Sequence, residues 1–287
     1  MLLGAADYFT GDWRALPRDV LGRVAALGFR TMNLRVDDPL AATDQDVART
    51  RALFADHGLV LGQTVGQYGG GLVSADAAER AAVIEFVMRM CDLTSRLGSP
   101  NTYLRPGSLN PAGAWTPHPD NRSEVVFGRL VDSTRRICVA AEGGGVQVAV
   151  EAGVVSPLHS PARVKAFIDA VGSPALGFNQ DPVNLVGSLE VAWDTTRLVE
   201  ECFDVLGSHT IGAHAKDVRI VDGLFPGFEE AEIGHGLLDH ATMLRRMQEV
   251  APDAHVLIEH LPQDRFPAAV VALTAFAAQA GVTWDQP

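Results

Sequence analysis

The sequence predicts a single α/β domain over residues 1–287, a (β/α)8 TIM barrel of eight parallel strands alternating with eight helices. Three observations carry that expectation. Short β-branched runs alternate with stretches of helical periodicity along the whole chain, the pattern of parallel strands joined by helical crossovers. No linker and no break in composition interrupts the beat. The length of 287 residues suits a barrel, which takes about 250. An open doubly wound sheet is the competing arrangement, but it gives no reason for polar chemistry at the ends of so many strands.

The first strand, LLGAA at 2–6, leads into a helix over 13–27 that Gly28 terminates. TMNLRV at 31–36 is the second strand and ends in Asp37-Asp38-Pro39. Thr43 is a good N-cap for a helix over 44–57, which stops at Gly58. LVLGQTV at 59–65 is the third strand and runs into the glycine-rich GQYGGGL. Ser74 opens a long helix in which Val83, Ile84, Val87, Met90 and Leu97 recur at helical spacing. The fourth strand, NTYLRPG at 101–107, is followed by SLNPAGAWTPHPDN, a loop long enough to reach over a site. A helix over 121–141 leaves through Glu142-Gly143-Gly144-Gly145. Strands at 146–151, 175–180, 210–215 and 255–259 then alternate with helices at 161–171, 189–206, 239–250 and 264–280. The stretch between 215 and 239 reads as a loop.

The composition, 47% apolar and 20% charged, is that of a well-buried globular protein. A net charge of −12 would repel phosphate backbones and argues against nucleic acid as substrate or partner. Cys91, Cys138 and Cys202 fall inside helical patterns without CxxC spacing and read as buried thiols of a reducing cytoplasm. MLLGAADYF lacks the basic start of a signal peptide, and no uninterrupted apolar run of about 18 residues is present to span a membrane. The expected partner is therefore a small molecule, and a homo-oligomer is compatible with all of this.

Functional residues of such a barrel sit at the carboxyl ends of its strands. Those ends read Arg35, Gln63, Arg105, Glu151, Asp181, His214 with Lys216, and Glu259. Glu151, Asp181, His214 and Glu259 follow one another at intervals of 30, 33 and 45 residues. A strand, a helix and two loops take roughly 30 or more, so each of the four falls on its own strand. Carboxylates and an imidazole converging at one barrel mouth make a divalent-metal site with proton-transfer groups beside it. Any one of them alone reads equally well as an ion pair capping the barrel. Four together do not, because each buried charge costs several kcal/mol unless it is paired.

Arg35 and Arg105 add two fork donors that suit phosphate or carboxylate, or alternatively pair with Asp37 or the metal-site carboxylates. Lys216 and Arg219 flank the loop after the seventh strand and would grip substrate oxygens, or pair with Asp217 or Asp222. Trp115 and Tyr68, on loops of the same face, would stack on a ring. His118 and His159 lie in loops there too, whereas His209 and His255 stand at strand starts, and His57 caps carbonyls.

The ordered set Glu151, DPVN (181–184), HAKD (214–217), GHGLLD (234–239) and Ile258-Glu259 resembles the xylose-isomerase-like sugar phosphate isomerase and epimerase family. The likeness in strand–helix order covers the whole chain, and the specific motifs lie between residues 146 and 260. It implies one divalent ion, manganese first with magnesium, cobalt or zinc as alternatives, held by Glu151, Asp181, His214 and Glu259. It further implies that Glu151 and Glu259 act as acid and base in the isomerisation or epimerisation of a small keto- or aldo-sugar. An ion bridging a carbonyl and the neighbouring hydroxyl acidifies the C–H between them and stabilises the enediolate. A lyase or dehydratase using the same groups, and a catalytically silent sugar-binding or assembly subunit, are the other two readings.

Endonuclease IV, a DNA-repair relative, needs further histidine ligands where this chain has Gln63 and Arg105. Three positions depart from the family's pattern. Asn184 stands where ketose 3-epimerases tend to carry histidine, and there it would hydrogen-bond a substrate hydroxyl. Ala152-Gly153 replaces a polar pair, and His235 occupies a position where acidic residues are common.

Overall fold

The structure is a computed structural model, and it describes residues 1–285. Eight parallel strands close on themselves: β1 (Leu2–Ala5), β2 (Thr31–Val36), β3 (Val60–Gly66), β4 (Asn101–Leu104), β5 (Gln147–Val150), β6 (Leu176–Gln180), β7 (Thr210–Ala215) and β10 (His255–Ile258). Their order around the ring is β1-β10-β7-β6-β5-β4-β3-β2, which is sequence order, as short right-handed crossovers dictate. Helices α1 (Arg18–Ala26), α2 (Asp44–Asp56), α3 (Ala77–Leu97), α4 (Glu124–Gly144), α5 (Pro161–Val171), α7 (Thr195–Leu206), α8 (His240–Val250) and α9 (Phe266–Gln279) surround it. The expected single barrel is what forms. No helix among the described residues is long and apolar enough to cross a membrane.

Capping chemistry fixes most boundaries. Thr43 and Asp46 form a reciprocal capping box at the start of α2, while Gly98, Gly145 and Gly172 end α3, α4 and α5 in the left-handed region. The expected helix over 13–27 is instead a 3-10 turn, Trp13–Ala15, followed by α1. Pro17 is the reason: it drives Leu16 to ψ 118, out of helical space. The long helix begins at Ala77 rather than Ser74, because Asp76 accepts from the backbone of Ala78 and Glu79. The expected helix over 189–206 is two, a short α6 (Leu189–Ala192) and α7, divided where Asp194 caps a fresh start.

The expected loop between 215 and 239 holds a two-stranded antiparallel hairpin, β8 (Asp217–Val221) and β9 (Gly227–Ala231). Its signals were present in the alternating VRIV and the Asp222-Gly223 turn dipeptide. Its tip carries Leu224 and Phe225, 90% and 91% exposed.

At the amino-terminal end of the barrel, His255 is buried and its Nε2 has no partner. Burial, reinforced by His214, pushes this imidazole down to about 3. An unfolded histidine titrates near 6.5, so between these values the unfolded chain binds a proton that the native chain refuses. Stability is therefore expected to fall as pH drops from 6.5 toward 3, by on the order of 3–5 kcal/mol from this residue. Denaturant midpoints against pH check it: His255→Gln should flatten that slope, and an unchanged slope would sink the assignment.

Candidate metal and active centre

The carboxyl ends of the strands surround a cavity of about 560 Å³, within the range of small-molecule sites. Glu151 follows β5, Asp181 follows β6, His214 lies in β7 and Glu259 follows β10. Four neighbouring strands thus each deliver one of the four residues, and all four are buried. Their surroundings explain how a sequence tolerates so much charge in one place.

His214 is oriented from behind. Its Nε2 is 3.1 Å from Oε1 of Gln63 on the opposite strand β3, and Gln63 Nε2 in turn donates to Asn101 Oδ1 at 3.0 Å. With Nε2–H engaged by an amide oxygen, the ring presents Nδ1 to the cavity. That nitrogen lies 2.7 Å from Glu151 Oε1 and 2.9 Å from Glu259 Oε2 without an aligned hydrogen bond to either. Burial opposes charge on the imidazole, but Glu259 and Glu151 outweigh it and raise its pKa well above the usual value. The position between the carboxylates therefore attracts positive charge.

Lys216 supplies a second cation. Its ammonium sits 2.8 Å from Asp181 Oδ2 and 2.7 Å from Glu259 Oε1, engaging one oxygen of each. Asp181 Oδ1 is left buried and without a partner. Burial raises Asp181 to about 7 against the opposing pull of Lys216, with Glu151 and Glu259 adding to the rise. Glu259 goes the other way: burial would raise it, but Lys216 and His214 hold it well below the ordinary carboxylate range. Glu259 is ionised at neutral pH.

Glu151 is held by three donors. Asn179 Nδ2 reaches Oε1 at 2.7 Å, while Tyr103 Oη and Asn184 Nδ2 reach Oε2 at 2.8 and 3.2 Å. Burial, then the nearby Glu151 charge, raises the Tyr103 phenol well above its usual value, so it stays a proton donor. Asn184 also donates to Asp181 Oδ2 at 2.8 Å. It lines the cavity, but its amide ties two carboxylates together, which differs from the expected role on a substrate hydroxyl.

These residues fit a divalent ion. Glu151, Asp181 and His214 each offer one donor atom within 4.8 Å of the others. The orphaned Oδ1 of Asp181 is a buried atom that otherwise goes unsatisfied, at a cost of about 1–3 kcal/mol, and His214 Nδ1 stands between two carboxylates where a cation would sit. Glu259 Oε2 faces the same imidazole nitrogen at 2.9 Å. A set of carboxylates and one imidazole suits magnesium, manganese or zinc and gives no preference for soft metals.

The residue after Lys216 has a different task. Asp217 accepts from four backbone N–H groups: Val218 and Leu238 on Oδ1, at 2.9 and 3.0 Å, and Gly234 and Gly236 on Oδ2, both at 3.0 Å. This clamp ties the GHGLLD loop to the HAKD stretch at the barrel mouth. A Cβ on Gly236 would lie 2.2 Å from Asp217 Oδ1 and 2.5 Å from the Val218 carbonyl oxygen. Gly236→Ala is thus expected to break the clamp and lower stability by about 2–3 kcal/mol. A melting temperature equal to that of the parent would contradict this.

The arginines part company. Arg35 and Arg105 line the cavity, as expected. Arg219 does not: it stands on the exposed hairpin strand β8, 61% exposed and paired with Glu229. Its assignment to substrate is corrected, because an unforeseen hairpin carries it away from the cavity. Its expected alternative partner Asp222 is not used either. Trp115 lines the cavity and packs on Gly153, where a Cβ would lie 2.7 Å from the indole ring. That contact accounts for glycine in place of a polar residue. Tyr68 is not in the lining; its hydroxyl accepts the Arg105 backbone N–H at 2.9 Å. His118 and His159 lie outside the cavity, and His235 is exposed on the loop that Asp217 clamps.

Sequence reasoning missed Tyr103, Asn179, Glu230, His260 and Asp7. Glu230 enters the cavity from the hairpin and pairs with His260 Nδ1 at 2.8 Å. Asp7 and His260, at the ends of the adjacent strands β1 and β10, are the non-glycine residues with positive φ, 52° and 57°. Both line the cavity, and such strain persists where surrounding contacts impose it, commonly at functional sites.

Solved structures with this architecture share little sequence. D-psicose 3-epimerase from Clostridium cellulolyticum H10, solved with D-tagatose, superposes with a TM-score of 0.76 at 14% identity, over 99% of this chain and 100% of that one. A xylose isomerase-like TIM barrel protein from Mycobacterium smegmatis, in complex with magnesium, gives 0.72 at 17% identity over 96% and 95%. A xylose isomerase domain protein from Planctomyces limnophilus gives 0.72 at 20% identity over 91% and 92%. No curated protein matches the sequence. The family described as Xylose isomerase-like TIM barrel matches residues 21–276. With nearly the whole barrel inside that match, the chain belongs to the xylose isomerase-like TIM-barrel family.

Proposed function

We propose that this protein is a divalent-metal-dependent isomerase or epimerase of a small keto- or aldo-sugar, working by proton removal next to a carbonyl. The observation that carries the reading is the convergence of Glu151, Asp181 and His214, with His214 Nδ1 2.7 and 2.9 Å from the carboxylates of Glu151 and Glu259. The structural likeness to an epimerase solved with a ketose, and to a barrel holding magnesium, supports it. Glu151, Asp181, His214 and Glu259 would hold the ion, with manganese the first choice and magnesium, cobalt and zinc compatible with the same donors. When bound, the ion supplies Lewis acidity toward a substrate carbonyl and its neighbouring hydroxyl.

The chain's own groups do the rest. Glu259 is an ionised carboxylate and hence a proton acceptor. Glu151 approaches from three strands away, so the two address a sugar from different sides. Removal of a proton by one and its return by the other inverts a carbon; removal and return at adjacent carbons moves the carbonyl. Lys216, Asn184 and Tyr103 fix the orientation of the carboxylates, and Trp115 lines the cavity from the loop after β4.

The test is turnover of a panel of ketoses in heavy water by enzyme loaded in turn with manganese, magnesium, cobalt and zinc. Product is expected to carry deuterium at the carbon beside the carbonyl. Label accompanied by loss of water would make the protein a lyase. Product with neither label nor elimination would indicate hydrolysis or an internal hydride shift, and would remove Glu151 and Glu259 as acid and base.

A further inference from the structure

The barrel mouth is divided by charge. Glu151, Asp181, His214 and Glu259 occupy the β5-β6-β7-β10 half of the ring. The other half carries Arg35, at the end of β2, and Arg105, just past β4, on either side of β3. Both guanidinium groups lean on consecutive residues at the end of that central strand. Arg35 Nη2 donates to Gln67 Oε1 at 2.6 Å, and Arg105 Nη1 donates to the Gly66 carbonyl at 2.7 Å. In the closed ring β3 lies opposite β7, so the two arginines face His214 across the cavity that all three line.

Their charges are poorly compensated. Arg35 has one carboxylate neighbour, Asp7, at 3.5 Å. Arg105 has none within ion-pair distance among the described residues, although the chain as a whole carries a net charge of −12. Arg105 is nonetheless built in rather than loose: its guanidinium lies 5.2 Å from the ring centre of Tyr68 and 5.4 Å from that of Tyr103. A fork donor held beside two aromatic rings and anchored by one N–H on the Gly66 carbonyl is organised to receive an anion in two-point fashion. A neutral polyol would leave that charge facing hydroxyls, an arrangement better served by amides.

We propose that the substrate carries an anionic group, a carboxylate or a phosphate, at the end remote from the reacting carbon, and that Arg105 and Arg35 receive it. The inference rests on the isomerase reading and narrows it to keto-sugar acids or keto-sugar phosphates. It orients the substrate across the barrel, with its anionic end over β3 and its carbonyl end toward His214.

The experiment uses ligands that cannot react, so that it stands apart from turnover. Sorbitol, gluconate and sorbitol 6-phosphate are titrated calorimetrically into the manganese-loaded protein. One of the two anions is expected to bind at least tenfold more tightly than sorbitol, and which one wins identifies the group. In Arg105→Gln and in Arg35→Gln that ratio should fall to about threefold or less, while Arg105→Lys should retain part of it. Circular dichroism verifies that each variant is folded. Equal binding of the three ligands overturns the proposal. So does a ratio that survives both glutamine variants, since the anion would then be sitting on the metal. Failure of the isomerase reading looks different: the anion preference and its dependence on the arginines persist, but no ketose gains deuterium from heavy water.

Discussion

Glu259→Gln is expected to keep much of the fold and to lose about 10²–10⁴ of turnover, the typical contribution of a positioned acid or base. The amide keeps an oxygen that can accept from Lys216, which bonds Glu259 Oε1 at 2.7 Å, but the charge that Lys216 and His214 face is gone, so some stability goes with it. What it cannot do is accept a proton from carbon. Loss of one negative charge also weakens metal binding, so turnover must be measured at saturating metal, with the melting temperature as the control for folding. Glu151→Gln should lose as much turnover, and some stability for a reason of its own. Its oxygens receive Asn179, Tyr103 and Asn184, and an amide must turn an NH2 toward one of those donors. That mismatch costs about 1–3 kcal/mol. Near-native turnover in either variant would reduce that glutamate to a ligand.

The difference between the two glutamates shows what a sequence can convey about this site. The barrel was legible because each crossover repeats one physical pattern, a β-branched run and then a helical one, and errors of a few residues at element ends do not disturb it. The four acidic and imidazole positions were legible because each closes such a run. Their supports were not. Tyr103 and Asn179 sit within strands as ordinary strand residues, and only the pairing of β4 and β6 with β5 brings them against Glu151 from either side. Gln63 reaches His214 from 151 residues away, a pairing that no local spacing encodes.

Asp217 and Arg219 failed for a different reason. Read as loop residues, they were placed by proximity to Lys216, but Asp217 sits at the root of the hairpin against the barrel while Arg219 lies two residues farther out along it. Asp217 turns in to clamp four backbone donors, and Arg219 turns out to solvent. The positive φ at Asp7 and His260 carries no signal in composition at all. Neither residue type demands that conformation, and the surrounding contacts impose it.

Lys216→Met is the variant with the largest expected effect on stability. In the parent its ammonium is 5% exposed and bridges Asp181 and Glu259 at 2.8 and 2.7 Å, with Glu230 a further 3.8 Å contact. Removing it leaves two buried carboxylates beside a third, Glu151, with His214 as the remaining cation of the cluster. Breaking one side of a buried pair costs about 3–5 kcal/mol, because the partner keeps its desolvation penalty and loses the attraction that offset it. Asp181, already raised to about 7 by burial, is the group that would take up a proton to relieve the repulsion. In chelated buffer the variant should therefore unfold at a markedly lower denaturant concentration than the parent. A saturating divalent ion should then restore more stability to the variant than to the parent, since a ligand at about 1,000 times its Kd contributes roughly 4 kcal/mol to any chain that binds it. In the variant it also replaces the missing positive charge. Turnover should remain at least tenfold low even when stability returns, because Asp181 Oδ2 and Glu259 Oε1 have lost the group that orients them. An unfolding midpoint in chelated buffer equal to that of the parent would show that Lys216 is not what makes this cluster of carboxylates tolerable.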